Sequence, residues 1–270
     1  MTAAFQPQRR SQIFVLGACL GLAFCARAWG FTFDVTPTVI QVTVPAGGSS
    51  AGKISIKNVG TEDLQLSGRV MDWKYAGQEG EKKFFPIGAL PYSCSRWVSF
   101  SPPTLALKPG ETKEVSFSLA VPKNAQGGYY STIIFRGMGK VQPQGGVTVN
   151  LAIEMGSLIL VEIDKTQNLK GVIKDFTVNT PQGRPLEVKV RFKNEGNVRV
   201  EAKGRLSILD KDGNAIGWTR FPPVKTLPGD EWTTSTTWPG QLKPGHYRLV
   251  STFELAPGQV LVNEKEIDFK

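Results

Sequence analysis

The sequence predicts an all-β chain of two tandem sandwich domains behind an N-terminal signal peptide. Three observations predict it. The first is a phrase written twice. Ile54-Ser55-Ile56-Lys57-Asn58-Val59-Gly60, closing on Gly68-Arg69, returns at one constant offset as Val190-Arg191-Phe192-Lys193-Asn194-Glu195-Gly196, closing on Gly204-Arg205. A strand, an Asn-x-Gly turn and a second strand read as a hairpin unit, and meeting it twice reads as two copies of one domain. The second observation is the succession of short alternating apolar runs separated by Gly, Pro, Asn and Asp. The third is that no amphipathic helical period follows residue 30.

The N-terminal segment differs from the rest. Arg9 and Arg10 precede an apolar run from Ile13 to Ala26, and Ala26-Arg27-Ala28 follows. A charged start, a short apolar stretch and a small-x-small site make a secretory signal peptide over residues 1–28. Two variants compete with simple cleavage: Leu16-Gly17-Ala18-Cys19 resembles a lipoprotein box, and Arg9-Arg10 resembles a twin-arginine signal. The mature chain then holds no second apolar run long enough to cross a bilayer. An exported protein follows, periplasmic first, with a cell-surface or lipid-anchored form as the variant.

The first domain spans residues 31–163. Ile40, Val42 and Val44 alternate before the turn at Pro45. Ile54/Ile56 and Leu64/Leu66 belong to the repeated unit. Val115, Phe117, Leu119 and Val121 follow the turn Lys108-Pro109-Gly110-Glu111, and Tyr130/Thr132/Ile134 follow Gly127-Gly128. Val147, Val149, Leu151, Ile153 and Met155 form a last long alternating strand. Between the repeated unit and Pro109 lies an insertion carrying Trp73, Phe84-Phe85-Pro86 and Arg96-Trp97.

The second domain, residues 164–270, replays this order. Val188/Val190/Phe192 carry one strand, and Leu206/Ile208 lead to the turn at Asp210–Gly213. Leu227-Pro228-Gly229-Asp230 matches Lys108-Pro109-Gly110-Glu111, and Pro244-Gly245-His246-Tyr247 opens a late strand. About seven strands per domain with turns every 8–12 residues argue immunoglobulin-like sandwiches, the second of immunoglobulin or fibronectin-type-III kind. In each, a Tyr after a Gly turn suits a corner in which the phenol bonds back to its own loop. Tyr129 and Tyr130 both qualify in the first domain, and Tyr247 in the second.

Composition excludes several function classes. Once residues 1–28 are removed, 29 basic side chains face 23 acidic ones. This mild, mixed excess makes no nucleic-acid stripe. Glu187, Lys189, Arg191 and Lys193 share one strand face opposite Val188, Val190 and Phe192, which suits the wet side of a sheet as well as an anionic partner. Cys94 is the one mature cysteine, so no internal disulfide forms, and it reads as a buried small hydrophobe. The single histidine, His246, sits in a Pro-Gly turn and offers no metal spacing. No phosphate loop or serine elbow occurs, and Asp72 has no paired acid at a defined spacing. The reading is a protein without enzymatic activity, metal or other cofactor. Trp232 and Trp238, at even separation in one Thr-rich strand, share a face and are the candidate aromatic surface for cell-wall or surface polysaccharide.

As a set, the run Thr38–Gly47, the strand Ile54–Asn58, Ser101–Glu111 and the long strand Val147–Met155 carry a family likeness. With them the chain resembles the PapD-like periplasmic chaperones of pilus assembly. Through Leu242–Tyr247 it also resembles ectodomains of surface proteins associated with WxL cell-wall complexes. The first resemblance implies strand donation: Val147, Val149, Leu151, Ile153 and Met155 offer an alternating apolar edge to an exported client or surface-assembly subunit. It also implies a cleft Arg on the first strand and a cleft Lys near the end of the last. This chain carries Val39-Ile40 and Gly156-Ser157-Leu158-Ile159-Leu160 there. On the residues alone, Val147–Met155 reads equally as an ordinary interior strand.

Overall fold

The computed structural model describes residues 31–77, 80–141, 149–179 and 185–269. The signal-peptide segment lies outside the described residues. In the first half the strands are β1 (Phe33–Thr36), β2 (Val39–Val44), β3 (Ser49–Asn58), β4 (Leu64–Ala76), β5 (Glu81–Phe85), β6 (Val98–Ser101), β7 (Thr104–Leu107), β8 (Thr112–Ala120), β9 (Gly128–Val141) and β10 (Val149–Ile163). They build a sheet in the order β1-β3-β8-β6 and a second in the order β2-β10-β9-β4-β5, with β7 also on β4. In the second half follow β11 (Gly171–Asn179), β12 (Glu187–Asn194), β13 (Val200–Asp210), β14 (Ala215–Arg220), β15 (Val224–Thr226), β16 (Glu231–Thr237), β17 (Gly245–Ala256) and β18 (Gln259–Phe269). These give β11-β12-β16 opposite β14-β13-β17-β18, with β15 also on β13. The chain is two β-sandwiches.

Each sandwich buries the alternate residues that the period-2 pattern assigns inward. Phe33, Ile54, Ile56, Val115, Leu119, Ile133 and Phe135 fill the first core. Val188, Val190, Phe192, Leu206, Ile208, Leu249 and Phe253 fill the second. Alternation arises because successive side chains of a strand point to opposite faces. The charged face of β12, with Lys189 and Arg191 exposed, is the wet side of its sheet.

The repeated phrase is not a hairpin. β3 pairs with β1 and β8, whereas β4 pairs with β5, β7 and β9 in the opposite sheet. β12 and β13 likewise lie in opposite sheets. The Asn-x-Gly unit is therefore an arch that carries the chain across the core. A hairpin and an arch share the same alternation, so periodicity alone does not choose between them.

The asparagine explains the arch. Buried Asn58 accepts a hydrogen bond from Gly60 N–H at 3.0 Å and donates Nδ2 to the carbonyls of Glu62 (2.8 Å) and Leu107 (3.1 Å). Its own carbonyl accepts from Gly110 N–H at 2.9 Å. In the second copy Asn194 accepts from Gly196 N–H at 2.9 Å and donates to Val198 O at 2.9 Å, and its carbonyl accepts from Gly229 N–H at 3.1 Å. Gly110 and Gly229 both hold positive φ, at 77° and 82°, where an L-residue is strained. Thus the Asn-x-Gly turn and the Pro-Gly turn, far apart in sequence, lock to each other by the same backbone hydrogen bonds in both copies.

Asn58→Ala and Asn194→Ala should each destabilise the protein by about 2–3 kcal/mol, because each strands buried partners without a hydrogen bond. Denaturant unfolding of the two variants checks this, and the losses should be of similar size.

Candidate functional site

The site is built on the longest strand pair. β9 and β10 run antiparallel without a register shift, from Val149↔Val141 to Glu162↔Gly128. The apolar alternation foreseen as far as Met155 continues to Ile163. On the other side of β10, β2 pairs in parallel only from Leu158↔Val39 to Ile163↔Val44. Among the described residues no strand pairs with 149–157 on the side away from β9. The pairing starts where Leu158 N–H donates to Thr38 O at 2.9 Å. It starts there because the chain switches sheets at Pro37: β1 before it pairs with β3, and β2 after it pairs with β10.

The directions of the backbone groups follow. Leu158 N–H faces β2, and N–H groups on one side of a strand recur every second residue. Ala152, Glu154 and Gly156 therefore direct N–H and C=O to the open side, and Ile153 and Met155 direct theirs to β9. Side chains divide by the same rule. Ile159, Val161 and Ile163 on one face lie in the first core, and that face continues into Leu151, Ile153 and Met155. Ile153 still packs on the core, while Leu151 and Met155 are 40% and 37% exposed. An apolar row thus runs out from under the opposing sheet just where the edge opens. Of the residues foreseen for it, Val149 lies in β10 and Val147 lies outside the described residues.

On the outer face a groove of about 290 Å³ borders the edge. Val39 and Phe84 form part of its apolar lining, with Lys82 and Glu154 beside them. Glu154 is held by Arg69 at 2.8 Å and Arg136 at 3.6 Å. At the cleft between the sandwiches stands an aromatic cluster of Trp73, Tyr92, Tyr130, Leu160 and, from the second sandwich, Leu227. Leu160 and the exposed Val39 occupy the ends where the family resemblance implied cations.

The cleft is held by hydrogen bonds between the halves. Tyr130 Oη accepts from the backbone N–H of Arg199 at 2.6 Å. Burial pushes its phenol up, so the hydroxyl stays neutral. Gly128 N–H donates to Asn197 O at 2.7 Å, and Asn197 Nδ2 donates to Thr166 O at 2.9 Å. Tyr75 reaches across from β4, stacking edge-on against Trp232 at 6.4 Å and accepting from Arg199 Nη1 at 3.2 Å. Arg199 Nη1 also reaches Glu201 at 2.8 Å. Burial pushes the Glu201 carboxyl up, but Arg199, with Lys225 beyond it, outweighs burial and holds it below the usual carboxylate range.

Two expectations change here. Tyr247 forms the expected corner, donating to Lys243 O at 2.8 Å. Its counterpart Tyr130 instead bonds the other sandwich, while Tyr129 packs on Trp97 at 4.3 Å. Trp232 and Trp238 do share a face, but it is the inner one, and each is only 8% exposed. The Thr residues between them reach the inside because Thr234 and Thr236 give their hydroxyls to the carbonyls of Pro222 and Arg220. A polar-looking face is thus a core face, and among the described residues the exposed tryptophan is Trp218.

The remaining chemistry-bearing residues take structural places. Asp72, fully buried, accepts from Leu90 N–H at 3.0 Å and Ser93 Oγ at 2.6 Å, pinning the insertion. Cys94 donates to Ser131 Oγ at 3.1 Å, and burial pushes its thiol up to about 12. His246 is a surface residue beside Asp268 at 3.0 Å. Among the described residues no helix is long and apolar enough to cross a membrane. Sequence reasoning missed Tyr75, Asn197 and Arg199. Asn197 and Arg199 directly follow the second Asn-x-Gly turn, where their counterparts Thr61 and Asp63 differ, and that difference was the available signal.

No protein-family model matches the chain, and no curated protein matches it. Solved structures similar to it include chaperones of the PapD-like type. The class 5 fimbriae chaperone CfaA matches at TM-score 0.48 and 12% identity, over 87% of this chain and 99% of that one. A CsuC–CsuE chaperone–tip adhesion subunit pre-assembly complex of Acinetobacter baumannii matches at TM-score 0.43 and 14% identity, over 86% and 97%. The E. coli chaperone DraB matches at TM-score 0.40 and 10% identity, over 88% and 98%.

Tyr130→Phe leaves the Arg199 N–H without its partner and should cost about 1–2 kcal/mol. Limited trypsin digestion should then cut faster at Lys165 and Lys170, between the sandwiches. Unchanged cutting and unchanged stability would show that the phenol does not hold the cleft.

Proposed function

We propose that the protein is a non-enzymatic, exported assembly chaperone that binds another envelope or surface protein by β-strand pairing. The client's strand is added to β10 along 149–157. One observation carries this reading: among the described residues, the unpaired edge of β10 and an exposed apolar pair, Leu151 and Met155, coincide on the same residues. An added strand supplies main-chain partners to Ala152, Glu154 and Gly156. Its inward side chains cover Leu151, Ile153 and Met155. Main-chain hydrogen bonds give such pairing affinity, and the alternate apolar side chains add buried area and give specificity and register. A free edge of this kind is otherwise an aggregation hazard, which favours a dedicated occupant.

The start of β2 at Val39 limits the added strand at one end, and the tie between Tyr130 and Arg199 holds the second sandwich beside it. One of the solved structures similar to this chain is a chaperone–tip adhesion subunit pre-assembly complex. The reading assigns a client of that kind, a pilus or surface-assembly subunit. Anchoring here rests on the apolar row, with no cation at Val39 or Leu160. The polysaccharide reading depended on Trp232 and Trp238 as a surface and loses its support with their burial.

The test is co-purification from the periplasm of producing cells. The native protein should retain a polypeptide, and Leu151→Asp with Met155→Asp should lose it while the fold survives. Ala152→Pro should also lose it, since Pro removes an N–H on the open side and is tolerated at an edge. Retention on cell-wall material with no polypeptide client, or capture indifferent to all three changes, would overturn the proposal.

A further inference from the structure

The second sandwich has an outer face that strand donation leaves unused. On β14-β13-β17-β18, outward residues fall in rows. Arg220, Arg205, Thr252 and Val262 stand in register across the four strands. Trp218, Ser207, Val250 and Glu264 form the next row. Ile216, Trp218, Val260 and Val262 are all exposed, Trp218 at 49% and Val262 at 58%.

The charges on this face are sorted. On β13 and β14 they are Lys203, Arg205 and Arg220, all exposed, with one carboxylate, Glu201, at the start of β13. Arg205 and Arg220 are direct cross-strand partners, and both guanidinium groups lie against Trp218, at 4.8 and 5.3 Å from its ring. Like charges directly opposite repel. Among the described residues none of the three cations has a carboxylate within ion-pair distance. On β17 and β18 the outward charges are mainly acidic: Glu254, Glu264, Glu266 and Asp268, offset by Arg248. One half of the face is positive, the other negative, and the exposed apolar residues are shared between them.

We infer that this face binds a second copy of the chain, in a two-fold pair. A two-fold axis along the strand direction lays β13-β14 of one copy over β17-β18 of the other. It sets Arg205 and Arg220 over Thr252 and Val262 of the other copy, where Glu254 and Glu264 are their neighbours on the same strands, and it brings Trp218 on β14 beside Val262 on β18 at each flank. Self-complementarity of this kind is what an isologous interface requires. A uniformly anionic partner, by contrast, meets repulsion from the acidic half. Strand spacing and rise give a footprint of about 19 by 20 Å. That buries about 800 Å² in total, less than a stable specific interface, so the pair is weak, reversible and concentration-dependent.

Sedimentation equilibrium of the mature protein tests this. The native protein should form a dimer that weakens with salt. Arg205→Glu with Arg220→Glu should weaken it by about tenfold or more, with circular dichroism and thermal unfolding unchanged. Mixing that variant with Glu264→Arg plus Glu266→Arg should restore a dimer, now of mixed composition. Leu151→Asp with Met155→Asp should dimerise as the native protein does, which separates this claim from strand pairing at β10. A monomer at every concentration up to about 1 mM, or a dimer indifferent to the charge reversals, would overturn the inference.

Discussion

A strand inside a sheet pairs its N–H and C=O groups on two sides, and β10 does so over only part of its length. It is 15 residues long, and β2, its only neighbour on one side among the described residues, is six. The shortfall arises at Pro37, where the first stretch of chain divides between two sheets and leaves β10 short of a companion. Much of the first sandwich follows from this. The core-facing row of β10 is buried as far as β2 and β1 flank it and is part-exposed beyond. The groove on the outer face lies beside the start of β2. The proposed function is a consequence of the same shortfall, because backbone groups and apolar side chains lack partners at the same place.

The second sandwich repeats the first in its Asn arches and Pro-Gly turns, yet the copies have diverged where they meet. In the second, Tyr247 holds its own loop; in the first, Tyr130 holds the other sandwich. A phenol that spends its hydrogen bond across the junction makes the cleft a fixed feature. Asn197 and the hydrogen bond from Arg199 to Tyr75 add to this. The long insertion contributes Tyr92 to the aromatic cluster, and buried Asp72 pins it. Difference between the copies therefore concentrates at the junction, next to the open edge.

Much of this was legible in the sequence. Alternation gave the strands, the inward residues of both cores and the apolar row of β10, because period-2 burial is a local property. Partner choice was not legible. β3 and β4 read as a hairpin because the sequence does not say which sheet a strand enters, and the pairing of β3 with β8 and of β4 with β7 and β9 decides it. The face of β16 was misread for a related reason. Thr234 and Thr236 look wet by composition and are buried because carbonyls of a neighbouring segment receive their hydroxyls. Tyr129 and Tyr130 were both candidates for a corner within the first sandwich; Tyr130 instead bonds Arg199 of the other sandwich, and no local rule connects them. The open edge itself depends on where β2 begins relative to β10, a register that the sequence does not record.

The central claim is that β10 is unpaired on one side along 149–157, and site-resolved amide hydrogen exchange tests it most directly. Hydrogen bonding to β9 alone protects alternate residues. Ile153 and Met155 should exchange slowly, and Ala152, Glu154 and Gly156 should exchange rapidly in the free protein. Protection of both sets to the same degree would mean that the edge is already occupied and would contradict the account.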